Sequence, residues 1–205
     1  LVVPAFLLLA YGAPNSGIPG HWDATPVRPG INLLPEKPDN AITDAHAKLE
    51  KVRRTGDITL VSIHWGGNWG YELDPDMRQF AHDLLDSTGV DLVHGHSSHH
   101  PRGIEVYRDR LILYGCGDFI NDYEGIRGRE SFRGDLRLMY LPEIDAASGE
   151  IHAMRMPVFR SHKFRLSRAA KEDVTWLAAE LDRESRRLGA TRVEAGDGEL
   201  LLRWD

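Results

Sequence analysis

Histidines crowd into one short stretch of the chain, "VHGHSSHHPRG" at residues 93–103. Four of them fall there: His94, His96, His99 and His100. The glycine, serine and proline around them exclude a helix, so a loop after a short apolar segment must present the rings. Imidazole is a good ligand for Zn, Fe, Mn and Ni. A Gly-His-x-x-His turn can bring His96 and His99 to one side, and Gly95 can adopt a backbone conformation that other residues avoid.

Another histidine ends the preceding apolar segment. The stretch "DITLVSIHWGGNWG" predicts a buried strand that finishes at His64, and "VDLVHGH" predicts a second strand that runs into the histidine-rich stretch. Between them, "DPDMRQFAHDLLDSTG" predicts a helix with Asp74 as N-cap, Pro75 in the first position and Gly89 at its end. This order is typical of a β-α-β unit with parallel strands. Because ligands of such sheets bind beyond the carboxyl ends of the strands, all these histidines should face one cleft.

A metal site is one interpretation of these histidines, and ordinary packing is the other. His64, His96 and His99 would supply nitrogen to one or two divalent ions, Mn, Fe or Zn, with carboxylate or amide oxygens completing the set. Burying several imidazoles without a metal would leave several polar groups to satisfy, which favours the metal for the histidine-rich stretch. A single histidine at a strand end is more often a hydrogen-bonded core residue. We expect His94 to be packed inside, whereas His100 could be a ligand, a substrate contact or an exposed residue.

Polar and aromatic residues near the histidines could contact a substrate. In "HWGGNWGYE", the aromatic residues either pack or line a groove, and the glycines let the loop approach a ligand closely. The stretch "YGCGDFINDYEGI" is either a solvated acidic turn, which includes Asp122 and Glu124, or a contributor to the site. Cys116 is expected to be a small buried residue and not a nucleophile. The candidates for substrate binding are Asn68, Glu72, His100, Asp118 and Asn121.

Two further helices are predicted. One should run from about Ala41 to Arg54, with Asn40 as N-cap and Gly56 as its stop, because apolar residues recur there at helical spacing. The other should run from about Ser167 to Leu188. Strand pairs with tight turns are expected at Arg108–Asp109, at a Ser-Gly turn near 148–149, and at Gly196–Gly198.

Length and composition narrow the class of protein. The chain has 205 residues, enough for one sizeable core, and a formal net charge of −6 without long runs of like charge, which argues against nucleic-acid binding. Its single cysteine excludes an intrachain disulfide and a cysteine-only metal site. The opening "LVVPAFLLLAYG" is too short to span a membrane and lacks the features of a signal peptide, so we interpret it as a buried strand.

These motifs together resemble a known family. "VSIHWGGNWGYELDP" and "FAHDLLDSTGVDLVHGHSSHHPRGIEVYRDRLILYGCGDFIND" are similar to the C-terminal two-thirds of the CapA-type bacterial capsule-synthesis or poly-gamma-glutamate-synthesis proteins. The resemblance covers at least residues 1–141. It implies a fold like that of the calcineurin-like metallophosphoesterases, a layered α/β sandwich of two sheets flanked by helices, as a single domain over residues 1–205.

The resemblance also implies roles for particular residues. His64, His96 and His99 occupy the family's metal-ligand positions, and Ser97 and Ser98 stand where the family commonly has other residues of a Gly-His-His-Pro-His motif. Asp118 replaces the family's usual asparagine. The family's early Gly-Asp strand and its Asn-x-Glu segment have no match in this sequence. We therefore expect the chain to be a piece of a longer protein that holds about half of a two-metal site.

Two functions follow from the resemblance. The first is a metal-dependent hydrolase of the phosphoesterase type, acting on a small-molecule or polymer substrate in capsule or poly-gamma-glutamate metabolism. The second is a non-catalytic binding or assembly component of a membrane-bound capsule-synthesis complex. Either would act in the cytoplasm or at the cell envelope. The sequence leaves the substrate, the metal identity and the oligomeric state open.

Overall fold

Two β-sheets and three α-helices form successive layers in the computed structural model, which describes residues 5–35, 37–121 and 127–205. The expected layered α/β architecture is confirmed. Asp122 and Glu124 of the acidic turn lie outside the described residues.

The first sheet has five strands and is parallel except at one edge. In spatial order its strands are β1 (Phe6–Gly12), β2 (Ile58–His64), β3 (Leu92–His96), β5 (Arg110–Leu113) and β4 (Ile104–Tyr107). Only β4 runs antiparallel to its neighbour. The continuous apolar runs of β2 and β3 are typical of strands that are covered on both faces. Because β2 and β3 pair in parallel and α2 lies between them in the chain, the predicted β-α-β unit is confirmed.

Helices α1 (Pro38–Glu50) and α2 (Pro75–Thr88) cover one face of this sheet. Helix α2 begins and ends as predicted, because the Asp74 carboxylate accepts a hydrogen bond from the Asp76 N–H at 3.0 Å and Gly89 adopts φ 64°.

The predicted bounds of α1 were wrong at both ends. It begins at Pro38, whose fixed φ suits the first helical position, so Asn40 lies inside the first turn instead of capping it. It ends at Glu50, and the N–H of Arg54 donates to the Asp57 carboxylate at 2.8 Å instead of continuing the helix.

The second sheet is built around one long strand, β8 (Ile151–His162). Its other strands are β6 (Leu136–Leu138), β7 (Leu141–Ile144), β9 (Arg165–Arg168), β10 (Arg192–Ala195) and β11 (Glu199–Arg203). The predicted start of the last helix, α3 (Lys171–Arg186), was wrong: residues 165–168 pair with β8, and the Ala169 N–H donates to the Val158 carbonyl at 3.1 Å. The hairpin turn at Arg108 and Asp109 is confirmed, with both residues at positive φ.

The first sheet separates two apolar cores. Alternate residues of β3 and β5 point to opposite faces, so Val93 and Ile112 pack with α1 and α2, whereas Leu92 and Leu111 pack with α3 and the second sheet. The strands β3 and β5 are thus held between two packed layers. The expectation of a buried strand at the start of the chain was wrong, because β1 is an edge strand that leaves Phe6 and Leu8 exposed. No described helix combines the length and the apolar composition needed to cross a bilayer.

A buried carboxylate ties α2 to the strand edge of this sheet. Glu105 on β4 is 3% exposed and accepts hydrogen bonds from Arg78 at 2.6 Å and from the Tyr114 hydroxyl at 2.7 Å. His82 Nε2 lies 3.1 Å from the same carboxylate. Burial alone would raise the pKa of Glu105, but the hydrogen bonds from Arg78 and Tyr114, together with the nearby His82 ring, lower it. Arg78 also donates to the Leu188 carbonyl, which connects this network to the end of α3.

We expect Glu105→Gln to lower the free energy of unfolding by about 2 kcal/mol, because the charged hydrogen bond to Arg78 is lost in a buried setting. A carboxyl whose pKa is lowered by folding stabilises the fold above its unfolded pKa and loses that contribution as the pH falls. The difference between the variant and the parent chain should therefore shrink in acid. Urea titrations at neutral pH and near pH 4 measure both effects, with Glu50→Gln on the exposed end of α1 as the control. Equal stability of the two glutamine variants at neutral pH would contradict the assignment.

Candidate functional site

The site lies where the parallel strands of the first sheet end. Gly12, His64 and His96 are aligned in register across β1, β2 and β3. The segment after β5 reaches the same edge, since the Cys116 N–H donates to the Gly95 carbonyl at 3.1 Å. Loops after β2, β3 and β5 therefore converge here, as expected for a ligand site of a parallel sheet.

Two imidazole rings face each other across the β2–β3 pair. The Nδ1 atoms of His64 and His96 are 3.1 Å apart, with the ring planes tilted by 57°. With both rings neutral, one Nδ1–H donates to the lone pair of the other Nδ1. Two nitrogens bound to one tetrahedral ion are about 3.3–3.4 Å apart, so the pair is already close to the spacing of two ligands on one cation.

Burial keeps these rings neutral. Burial, followed by the neighbouring His94 and His64, lowers the pKa of His96 to about 4. Burial and then His99 lower the pKa of His64. The partly buried His94 ring lies further along β3, where its Nδ1 is 2.9 Å from the Ser62 hydroxyl. At neutral pH the facing pair therefore offers an uncharged nitrogen lone pair, the form in which histidine binds metals.

His99 is held by a carboxylate from the segment after β5. Its Nδ1 lies 3.0 Å from one oxygen of Asp118 and 3.2 Å from the other. Because an ionised carboxylate only accepts, the Nδ1 carries the proton and the Nε2 carries the ring's lone pair. The backbone N–H of His99 donates to the Asn68 carbonyl at 3.0 Å, which fixes the loop. A carboxylate that orients a histidine in this way is a common support of metal ligands.

The role predicted for Gly95 needs a correction. Its φ is not positive; the unusual backbone belongs to Ser97, at φ 123°. Gly95 is required for space instead, because a Cβ there would lie 2.3 Å from Trp65 Nε1 and 2.6 Å from the Leu113 carbonyl oxygen. Trp65 occupies this gap, 2% exposed, and its Nε1–H donates to the Tyr114 carbonyl at 3.0 Å.

His100 lies apart from the other histidines. It is fully buried, its Nε2 accepts from the Gly70 N–H at 3.1 Å, and its Nδ1 donates to the Pro101 carbonyl at 2.9 Å. The ring stacks on Phe132 at 4.6 Å and contacts Tyr71 edge-on at 4.7 Å. Both ring nitrogens are engaged, so we place His100 in the packing of the loop and not among the ligands.

The remaining predicted residues do not gather at the histidine pair. The Asn68 and Glu72 side chains are exposed, and Glu72 lines a separate cavity of about 360 Å³ beside Arg187 of the α3 end. The Asn121 side-chain oxygen accepts from Arg137 at 3.0 Å. Trp69 packs against the His99 ring at 5.3 Å. Their proposed contacts with a substrate stay predictions.

Within the described residues, no group of three or more His, Cys, Asp or Glu side chains is arranged to hold a metal ion. The geometry therefore provides one converging pair, His64 and His96, and one separately oriented ring, His99. The metal-ligand roles of these three histidines stay predictions.

Sequence reasoning missed two residues of this site. Ser97 adopts a rare backbone conformation next to His96, and its hydroxyl donates to the Gly66 carbonyl at 3.0 Å, which fastens the loops after β2 and β3 together. Arg102, 4% exposed, donates to the Gly67 carbonyl at 2.7 Å and so also fixes the loop after β2. Only Arg102 had a signal in the sequence, as the single Lys or Arg within the histidine-rich stretch.

Comparison of the sequence with known protein families gives a match over more than half of the chain. Residues 4–123 match the family model described as "Bacterial capsule synthesis protein PGA_cap". The match includes β1 to β5, α1, α2 and all three candidate ligand histidines.

Individual relatives carry related descriptions. The chain is 48% identical over 186 residues to a probable polyglutamine synthesis accessory protein of Mycobacterium tuberculosis, covering 90% of this chain and 49% of that protein. It is 32% identical over 103 residues to the PGA biosynthesis protein CapA of Bacillus subtilis, covering 50% and 25%. With the capsule biosynthesis protein CapA of Bacillus anthracis the identity is 27% over 108 residues, covering 53% and 26%. The chain thus spans about half the length of the mycobacterial relative it matches.

We expect Gly95→Ala to destabilise the protein by about 3 kcal/mol, because the added methyl group must displace Trp65 or the backbone of the segment after β5. Urea unfolding followed by tryptophan fluorescence measures the loss. Gly20→Ala is the control, since a Cβ at Gly20 would meet no atom within 4 Å. If both alanine variants kept the parent stability, the close approach at Gly95 would be refuted.

Proposed function

The chain belongs to the PGA_cap family of bacterial capsule synthesis proteins, and on this basis we propose that it provides a metal-dependent hydrolase site of the phosphoesterase type in capsule or polyglutamate synthesis. The observation that carries the proposal is the approach of His64 Nδ1 to His96 Nδ1 at 3.1 Å, at the carboxyl ends of neighbouring parallel strands. A pair of neutral imidazoles at this spacing suits a shared Mn, Fe or Zn ion.

Each residue of the site has a separate task in this proposal. His64 and His96 would bind one ion through their facing Nδ1 atoms, with the proton of the Nδ1–H between them moved to the Nε2 of its own ring. His99 would offer Nε2 to the same ion or to a second one. Asp118 keeps the proton on His99 Nδ1 and so fixes the ring's orientation. A bound divalent ion would polarise a phosphoryl or carbonyl oxygen and lower the pKa of a bound water. Phosphate is the substrate group by analogy of fold, and the amide carbonyl of a polymer is the other candidate.

A non-catalytic role is the second candidate. Two observations favour it: only two of the histidine nitrogens converge within the described residues, and the mycobacterial relative is described as an accessory protein. In this case the histidines would hold a structural ion, and the protein would act by binding other components of polymer synthesis.

Metal loading followed by an activity assay separates the two candidates. The purified chain is incubated with Mn²⁺, Zn²⁺ or Fe²⁺, desalted, analysed by elemental mass spectrometry, and assayed with bis(p-nitrophenyl) phosphate and with a polyglutamate. Bound metal together with hydrolysis that chelation abolishes would support the hydrolase. Bound metal without hydrolysis of either substrate would support the accessory role.

We expect His64→Ala, His96→Ala and His99→Ala each to reduce the bound metal sharply, with at least tenfold weaker affinity, because each removes one nitrogen ligand. Elemental mass spectrometry after desalting gives the metal content, and circular dichroism checks the fold.

The control for the histidine variants is His46→Ala, on the exposed face of α1. Metal content equal to that of the parent chain in all three site variants would overturn the ligand assignment.

We expect Asp118→Ala to weaken metal binding by about tenfold, less than the loss of a ligand histidine, because the carboxylate only orients His99. Asp118→Asn should lie between the parent chain and the alanine variant, since an amide oxygen still accepts the Nδ1–H. Nitrogen-15 NMR of the imidazole rings gives an independent measurement. His99 should be an Nδ1–H tautomer in the parent chain and a mixture in Asp118→Ala; an unchanged His99 tautomer would contradict the orienting role.

A further inference from the structure

The strongest charge feature outside the site is a cationic hairpin made by β8, β9 and the start of α3. Residues 151–171 contain six Lys and Arg residues and no Asp or Glu, although the whole chain has a net charge of −6. All six are exposed, and four of them lie in the hairpin turn or after it: Lys163, Arg165, Arg168 and Lys171. Among the described residues no carboxylate forms an ion pair with these four side chains.

A concave surface adjoins the cationic hairpin. Arg155, Arg168 and Lys171 line a cavity of about 750 Å³ between the hairpin, α3 and the turn after β10. The lining also includes Asp197 and Glu199, but Glu199 already pairs with Arg155 at 2.9 Å. Arg168 and Lys171 therefore leave the cavity with a net positive charge.

Aromatic contacts lead from this cavity to the candidate site. The Arg168 guanidinium lies over the Phe159 ring, 4.9 Å from its centroid. Phe159 contacts Phe119 edge-on at 6.1 Å, and Phe119 directly follows Asp118, the carboxylate that holds His99. Arg168, Phe159 and Phe119 are thus linked by consecutive contacts, and Phe119 adjoins Asp118 in the chain.

We propose that the cationic hairpin and its cavity form a docking surface for an acidic polymer with closely spaced carboxylates, which extends past Phe119 to the candidate site. Arg168 and Lys171 both line the cavity, so a chain-like ligand that enters it can meet both cations. A bilayer is a flat surface and would not reach cations that line a cavity, so the concave shape favours the polymer over an anionic membrane. The inference rests on the proposed role in polymer synthesis and does not depend on a bound metal.

Fluorescence anisotropy with end-labelled poly-L-glutamate, in the presence of EDTA, tests the docking surface. The test variant is the triple substitution Arg165→Gln, Arg168→Gln and Lys171→Gln. The matched control, Arg28→Gln with Lys51→Gln and Arg54→Gln, removes the same charge from exposed positions elsewhere. We expect at least tenfold weaker binding in the test variant, less than twofold in the control, and a weaker salt dependence in the test variant alone.

Three results would overturn the proposal: no binding of the polymer by the parent chain, equal losses in the two triple variants, or unchanged polymer binding in the test variant together with lost binding to phosphatidylglycerol vesicles. The last result would identify the hairpin as a lipid-binding surface. His96→Ala keeps the two proposals separate, because we expect it to lose metal and to bind poly-L-glutamate like the parent chain. A chain that binds the polymer but neither binds metal nor hydrolyses substrate would refute only the hydrolase.

Discussion

The register between β2 and β3 is the constraint on which the candidate site depends. His64 and His96 face each other only because these parallel strands pair Ile63 with Gly95 and His64 with His96. A slip of one residue would turn the ring on the slipped strand to the opposite face of the sheet. The missing side chain of Gly95 contributes to this register, because Trp65 fills the space that a Cβ would need and is anchored by its hydrogen bond to Tyr114.

The same packing sets the electrostatics of the site. Burial makes the charged form of His96 unfavourable, and the neighbouring rings add to the effect, so the imidazoles stay neutral at physiological pH. A neutral pair of nitrogens can bind a cation without first releasing protons to solvent. His99 differs in its position, because its Nδ1 lies 3.0 Å from the Asp118 carboxylate instead of facing another imidazole. The site thus has two parts. His64 and His96 face each other at strand ends, and His99 lies in a loop and is oriented by the Asp118 carboxylate.

Local patterns in the sequence predicted much of this arrangement. The β-α-β unit, the caps Asp74 and Gly89 and the position of the histidines at strand ends depend on short-range signals, and they are confirmed. Long-range contacts decided the rest. The strand β9 replaced the expected start of α3 because it pairs with β8, and no local propensity encodes that pairing. The buried state of His100 and the contact of Asp118 with His99 likewise depend on residues that come together only in the fold.

The net charge of the chain does not predict which ligands a local part of its surface can bind. A net charge of −6 suggests repulsion of an acidic polymer, and composition alone gives no reason to expect such a ligand. Exposed charges separated by more than a Debye length, about 8 Å at physiological salt, are largely screened from one another. A ligand in the cavity beside the β8–β9 hairpin therefore experiences mainly the charges that line it, including Arg168, Lys171 and Asp197, and not the carboxylates on distant faces of the molecule. Because Phe159 and Phe119 connect this hairpin to Asp118, the surface that would attract a polyanion and the loop that orients His99 belong to one continuous region.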